Sequence, residues 1–159
     1  LLGADGTRLA NFRKLHLSGP YEQAQFVPGN EIVTADINGV TVAPLICYDV
    51  EIPEAVRAAA RAGAALVMVP TALREQYSHL TETMIPTRAF ENGIYVAYVN
   101  HAGAEDEFAY CGMSRLAGPR GQISSAGSQA CVHICTLDTE QIENARAELP
   151  YLREARRDL

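Results

Sequence analysis

The sequence predicts one α/β domain over residues 1–159, and three observations lead to this fold class. β-rich and helical segments alternate along the chain, residues 64–69 form a continuous apolar run with the length of a buried strand, and 48% of all residues are hydrophobic. Alternating strands and helices require helices that pack against a largely buried sheet. The apolar content suffices for one core.

The first third of the chain predicts a β-hairpin. Residues 31–37 and 40–47 are β-rich and are joined by Asn38-Gly39, the strongest short hairpin signal. Before it, residues 1–7 resemble a strand end with an Asp-Gly turn and lack a starting methionine, which is typical of the middle of a protein. We therefore expect the second hairpin strand to end at Cys47.

Helices and strands alternate after Cys47. Residues 52–62 begin with Pro53 in the first turn, are rich in alanine and stop at Gly63, which predicts a helix. The apolar run 64–69 then predicts a strand buried on both faces. Residues 78–92 predict a second helix, which Pro86 either kinks or splits in two, and residues 94–100 a further strand.

The last third predicts smaller elements. Residues 112–116 and 129–137 are interpreted as strands, and residues 118–121 as a turn that lacks the spacing of a phosphate-binding loop. Residues 139–146 predict a short helix with Thr139 as its N-cap, followed by a charged tail from Pro150.

Charge and hydropathy exclude several classes of partner. The net charge is −6, and lysine and arginine form no cluster that would attract nucleic acid or an anionic membrane. No apolar run approaches the roughly 20 residues that span a bilayer, and the first residues lack a signal-peptide pattern. We expect a cytoplasmic protein that binds neither nucleic acid nor membrane.

The cysteines do not indicate a disulfide scaffold. Cys131, His133 and Cys135 would share one face of the predicted strand 129–137, but a fourth zinc ligand is not apparent, so small apolar strand residues are the better interpretation. No metal is expected. The sequence identifies no partner for His16 or His79, and we expect both to be structural.

Two residues stand out as candidates for chemistry. Cys47 lies where a strand gives way to a helix, a position held by rigid elements and close to the backbone N–H groups of the turn. A thiol with a pKa near about 8.5 needs a base or a cation beside it to react at neutral pH. Lys14 is the only lysine in the chain, and lysine is a compact point charge.

The motifs around these residues resemble the nitrilase superfamily of carbon-nitrogen hydrolases. Phe12-Arg-Lys-Leu-His-Leu is similar to the segment that carries the family's lysine, and Leu45-Ile-Cys-Tyr-Asp-Val-Glu-Ile-Pro-Glu to its nucleophile segment. Further similar stretches follow in the family's order: Glu22 to Gly29, Val69-Pro-Thr-Ala, Arg88-Ala-Phe-Glu-Asn-Gly, Val99-Asn, Gly112-Met-Ser and the tail from Pro150. The resemblance covers nearly the whole chain.

The resemblance implies a fold and a reaction. The fold is part of a four-layer αββα sandwich whose N-terminal portion is missing here. Cys47 and Lys14 belong to a Glu-Lys-Cys triad, Glu22 is a second active-site glutamate, and the Tyr48 backbone N–H shares with Lys14 the role of oxyanion donor. Cys47 attacks an amide or N-carbamoyl carbon, without cofactor or metal, and forms a thioester that water hydrolyses. The helix residues Arg88, Glu91 and Asn92 are structural.

One element of the triad is not found. The family's base is a glutamate far ahead of the lysine, whereas the thirteen residues before Lys14 contain none. We therefore expect the chain to be the C-terminal part of a longer homodimeric or larger hydrolase. The alternatives are nitrile hydrolysis and a truncated, inactive pseudoenzyme or interaction module. A thiol redox protein is disfavoured because Cys47 has no resolving cysteine nearby in the sequence.

Overall fold

The computed structural model describes residues 1–156, which form a six-stranded mixed sheet and a separate two-stranded hairpin. The strands are β1 (Ala35–Ile37), β2 (Val40–Pro44), β3 (Leu66–Thr71), β4 (Tyr95–Asn100), β5 (Ala102–Glu105), β6 (Phe108–Cys111), β7 (Arg115–Ala117) and β8 (Ile123–Ser125). The helices are α1 (Gly19–Gln25), α2 (Pro53–Arg61), α3 (His79–Asn92), α4 (Glu140–Glu148) and α5 (Tyr151–Glu154), and 3₁₀ turns cover Cys47–Glu51 and Glu75–Tyr77.

The large sheet confirms the predicted α/β class. Its strand order is β1-β2-β3-β4-β7-β8. Strands β2, β3 and β4 are parallel, while β1, β7 and β8 pair antiparallel to their neighbours. Helices α2 and α3 connect the parallel strands, so the carboxyl ends of these strands meet at one edge of the sheet, where α/β proteins usually bind ligands.

The predicted hairpin is present but shorter than expected. Asn38 and Gly39 have φ of 53° and 81°, the paired left-handed residues of a type I′ turn. The second strand ends at Pro44 and does not reach Cys47, which corrects the prediction. The Leu45 N–H still bonds to Met68 O, and at Cys47 the chain turns into the 3₁₀ turn.

The main core lies on one face of the sheet. Val67 and Val69 of β3 are fully buried there with Val96, under α2 and α3. Within residues 1–156, the prediction that this strand is buried on both faces is wrong, since Leu66 and Met68 are only half-buried. The reason is that α2 and α3 cover one face of the sheet, whereas α4 and residues 129–137 cover the other face only in part.

Helix α3 runs without interruption through Pro86, so of the two predicted outcomes the split into separate pieces is wrong. Ile85 and Ala89 are buried against the core on either side of Pro86, and this packing offsets the lost backbone hydrogen bond. Gly93, in the left-handed region at φ 57°, ends the helix as predicted.

The C-terminal third departs most from the predictions. Residues 129–137 form no strand, because their backbone pairs with no neighbouring strand, although the predicted alternation survives: Val132 and Ile134 are exposed, while Cys131 and Cys135 face a cavity. The side chain of Thr139 makes no capping hydrogen bond at the start of α4. Asp138 Oδ1 accepts the Glu140 N–H instead.

The structure also has elements that were not predicted: α1, the β5–β6 hairpin, the edge strand β8 and α5. Of the charged tail, α5 is described, and the last three residues lie outside the described part. Among residues 1–156, none of the helices has the length and apolar character needed to cross a membrane.

Candidate functional site

A cleft of about 1100 Å³ opens beyond the carboxyl ends of β2 and β3. Lys14, Glu22, Cys47 and Tyr48, the four residues singled out from the sequence, all line it. They come from three separate segments of the chain. The fold therefore brings the predicted site residues to one surface.

Cys47 has an unusual backbone conformation. Its φ is 48°, in the left-handed region that residues other than glycine enter at an energetic cost. Cys47 is also the first residue of the 3₁₀ turn, and its side chain is partly accessible. A reactive side chain on such a sharp strand-to-helix turn is held out into the cleft by the backbone itself.

A buried carboxylate fixes this turn relative to the Lys14 segment. Asp49 is fully buried, and its oxygens accept the backbone N–H groups of Leu15 (3.1 Å), His16 (2.8 Å) and Ile46 (3.1 Å). The ring Nδ1 of His16 also lies 3.0 Å from Asp49 Oδ1. Asp49 thus ties together the residues that follow Lys14 and precede Cys47, and His16 is structural as predicted.

Lys14 is held by Glu22. Its Nζ lies 2.8 Å and 2.6 Å from the two carboxylate oxygens of Glu22, and only 12% of the Lys14 side chain is exposed. The Ser18 N–H donates to the same carboxylate at 2.6 Å. This chelated ion pair fixes an ammonium group at the wall of the cleft.

The environment of Glu22 favours its ionised form. Burial acts to raise the pKa of the carboxyl group, but the hydrogen bonds from Lys14 and the Ser18 N–H, together with the Lys14 charge, outweigh burial and lower that pKa below its usual value of 4.5. Glu22 is therefore negative at neutral pH, and Lys14 keeps its counterion.

The far end of the 3₁₀ turn is anchored by Arg88 of α3. Its Nε donates to Val50 O at 3.1 Å and its Nη2 to Glu51 O at 2.8 Å. Its Nη1 pairs with Glu91 Oε1 at 3.1 Å, as predicted from their spacing on the helix. Arg88 and Glu91 thus support the turn from behind and do not line the cleft.

The opposite wall is set by a buried asparagine. Asn100, at the end of β4, accepts the Leu73 N–H at 2.7 Å and donates to Gly112 O at 2.7 Å. These bonds hold the loop after β3, which contributes Leu73 and Arg74 to the cleft. The Arg74 guanidinium stacks on the Phe108 ring at 3.8 Å, so this wall combines a cation with an aromatic ring beside the apolar Leu73.

Glu51 is a cleft residue that the sequence interpretation did not single out. It ends the 3₁₀ turn that begins with Cys47, and its side chain lines the same cleft. Burial raises the pKa of its carboxyl group, and the charges of Lys14 and Arg88 oppose this shift only in part. Its only sequence signal was its place inside the nucleophile segment.

A second cavity, of about 450 Å³, lies between the sheet and residues 129–137. Cys131, His133 and Cys135 line it, but none of the four predicted site residues does. His133 Nε2 bonds to Ser124 Oγ at 3.0 Å. Within residues 1–156 no group of three His, Cys, Asp or Glu side chains is placed to hold a metal ion.

Comparisons with known proteins agree with the motifs. Residues 1–147 match the family model of the carbon-nitrogen hydrolases. A hydrolase from the region upstream of pqqF in Pseudomonas protegens is 41% identical, over 100% of this chain and 56% of that protein. An (R)-stereoselective amidase from Pseudomonas sp. is 37% identical, over 91% of this chain and 53% of the amidase.

Solved structures also show similarity to an amidase. A variant of the amidase from Nesterenkonia sp. AN1, with the acetamide moiety of fluoroacetamide bound covalently at the active-site cysteine, superposes with a TM-score of 0.83 and 39% identity. The match covers 93% of this chain and 54% of that structure. The chain thus spans about half the length of the relatives it matches.

Proposed function

The chain belongs to the carbon-nitrogen hydrolase family, and from this premise we propose that the protein hydrolyses an amide or N-carbamoyl substrate through a thioester on Cys47. The observation that carries the proposal is the cleft that is lined both by Cys47, at φ 48°, and by the Lys14–Glu22 pair. The amidases among the relatives support the amide class.

The first half of the proposed reaction forms the thioester. The Cys47 sulfur attacks the amide carbon, and negative charge develops on the substrate oxygen. The Lys14 ammonium and the Tyr48 backbone N–H stabilise this charge, and one such preorganised donor contributes about 3–4 kcal/mol in other hydrolases. The tetrahedral intermediate then expels ammonia or an amine, which takes up a proton.

The second half returns the free thiol. Water attacks the thioester carbon, the carboxylic acid leaves, and Cys47 regains its proton. This step and the first need a general base, which is typically worth about 100- to 10,000-fold in rate. The residues before Lys14 contain no glutamate. We therefore propose that the glutamate of the Glu-Lys-Cys triad belongs to a part of the protein outside residues 1–159. Glu22 positions Lys14.

The finer fold proposal is that this sheet is one of two in a four-layer αββα sandwich. Helices α2 and α3 cover one face, while the other face leaves Val99 59% exposed. A second sheet would bury this face. That the protein forms a homodimer or a larger assembly, and that it acts in the cytoplasm, stay predictions.

Ammonia release tests the proposal. The gene product that contains this chain is incubated with small aliphatic amides and N-carbamoyl compounds, beside Cys47→Ser and Lys14→Met variants and a Cys131→Ser control. We expect release by the parent protein and the control, a loss of at least about 1000-fold in Cys47→Ser, and a loss of about 100- to 1000-fold in Lys14→Met, which removes one oxyanion donor. Undiminished release by Cys47→Ser would refute the proposal.

A further inference from the structure

Glu51 is positioned by the same turn as the nucleophile of the proposed function. It lies four residues after Cys47, and both line the cleft with Lys14. The two Arg88 hydrogen bonds to the carbonyls of Val50 and Glu51 fix the backbone of Glu51 from the buried side. The Glu51 carboxylate is thus on a rigid support at the cleft wall.

The cations around Glu51 are engaged by other groups. Lys14 is chelated by Glu22 at 2.6 Å, and Arg88 pairs with Glu91 at 3.1 Å. Across residues 1–156, the Glu51 carboxylate itself forms neither a hydrogen bond nor an ion pair. Glu51 feels the charges of Lys14 and Arg88 only at a distance.

A half-buried carboxylate that accepts no hydrogen bond from the protein has not replaced the hydrogen bonds to water that it lost on burial. It has lost part of its water shell, and a bound molecule that supplies an N–H or an ammonium group would restore the missing hydrogen bonds. A bound carboxylate in the same place would meet like charge and be rejected.

We propose that Glu51 selects the substrate: it accepts a hydrogen bond from an amide substrate that carries an amino or other donor group, and it excludes substrates that carry a carboxylate at this position. This inference rests on the proposed function of the cleft and adds the class of substrate to it. The aromatic and apolar wall formed by Tyr77, Leu80 and Phe108 would hold the hydrocarbon part of the substrate.

Charged thiol reagents test this selection without requiring turnover. Aminoethyl, sulfonatoethyl and hydroxyethyl methanethiosulfonate are cationic, anionic and neutral, and all modify a thiol by the same reaction. Their rates at Cys47 are measured by peptide mass spectrometry, with the exposed Cys131 of the same molecule as internal reference. The proteins compared are the parent, Glu51→Gln, Glu51→Asp and the control Glu54→Gln, which removes an equal charge from an exposed position outside the cleft.

We expect Glu51→Gln to lower the ratio of cationic to anionic rates at Cys47 by roughly ten-fold, as for one charge within a few ångströms in a partly solvated site. The rate of the uncharged hydroxyethyl reagent at Cys47 should stay within about two-fold of its rate with the parent protein. Glu51→Asp and Glu54→Gln should keep the parent ratio of cationic to anionic rates. Glu51→Ala provides a second neutral variant if the glutamine variant folds poorly.

An unchanged ratio of cationic to anionic rates in the neutral variants would overturn the inference. If all three reagents also reacted equally more slowly, Glu51 would act on the thiol and not on the ligand. An absence of ammonia release would refute the proposed function but would leave these ratios interpretable, so the two failures are distinguishable.

Discussion

The interaction that joins the two halves of the candidate site is the buried Asp49 carboxylate, and Asp49→Asn tests it. Asp49 Oδ1 accepts hydrogen bonds from the Leu15 and His16 N–H groups and lies within hydrogen-bond distance of the His16 ring Nδ1. Asp49 Oδ2 accepts the Ile46 N–H. An asparagine that keeps its oxygen at the Oδ1 position would retain the first three interactions. Its amide nitrogen would then face the Ile46 N–H, donor against donor.

The expected cost follows from these contacts. A hydrogen bond to a charged group contributes about 1.5–3 kcal/mol, and a buried donor without a partner adds about 1–3 kcal/mol, so Asp49→Asn should lower the free energy of unfolding by about 2.5–6 kcal/mol. Asp49→Ala, which leaves every one of these donors without its acceptor, should cost more. The same variants should slow alkylation of Cys47, because the turn and the Lys14 segment lose their common anchor.

Urea denaturation followed by circular dichroism measures the effect. Asp36→Asn is the matched control, because Asp36 is exposed and its one backbone acceptor contact, with the Gly39 N–H at 2.9 Å, can be kept by the asparagine oxygen. It should change the free energy of unfolding by less than about 0.5 kcal/mol. Equal stabilities of Asp49→Asn and Asp36→Asn would show that the buried carboxylate does not hold the site together.

Three further predictions concern the packing of the Lys14 segment, the Lys14–Glu22 ion pair and the support of the 3₁₀ turn. Gly29→Ala would bring its Cβ into steric overlap with Arg13 O and should destabilise the protein by about 1–3 kcal/mol, whereas Gly127→Ala meets open space and should be near neutral; equal urea midpoints would contradict this. Glu22 has a lowered pKa in the folded state, so its contribution to stability is complete above its unfolded pKa of 4.5 and is lost as pH falls below it. The difference in urea midpoint between the parent and Glu22→Gln should therefore shrink between about pH 5 and pH 3, and a difference that grows on acidification would refute the ion-pair explanation. Arg88→Met should cost about 2–4 kcal/mol and slow Cys47 alkylation, because two turn carbonyls and the Glu91 carboxylate lose their donor; unchanged values of both would exclude a supporting role.

The cleft residues could be predicted from the sequence for a physical reason. Cys47 lies just beyond a strand and before a helix, and such positions meet at the carboxyl edge of a parallel sheet whatever the details of packing. Lys14 and Glu22 could be added because a resemblance supplied their roles. The structure places both on the Cys47 cleft, while their catalytic roles stay proposals.

The missed residues act through backbone groups that are far apart in sequence. Asp49 accepts backbone N–H groups of His16 and Leu15, which lie 33 and 34 positions earlier in the chain. Asn100 forms hydrogen bonds with both Leu73 and Gly112. No periodicity encodes such contacts. The left-handed φ of Cys47 could not be predicted from the sequence either, because that conformation depends on the surrounding structure and not on the residue type.

The errors in the predicted strands arose because strand formation depends on pairing with another strand, which local sequence patterns do not show. Residues 129–137 alternate as a strand should, but an extended segment becomes a strand only where another strand offers backbone groups. The β5–β6 hairpin was missed because β5, Ala102–Glu105, consists of alanine, glycine and glutamate, which have low strand propensity. Its pairing with β6 overrides that propensity.

The central claim is a covalent bond between the Cys47 sulfur and the acyl group of an amide substrate. Acid quenching of the gene product during turnover, followed by peptide mass spectrometry, tests this bond directly. We predict that the Cys47 peptide gains the mass of the acyl group and that hydroxylamine, which cleaves thioesters, removes it. Ammonia release with the acyl group on another residue, or with no adduct on Cys47 in the quenched steady state and in a single turnover, would contradict the mechanism.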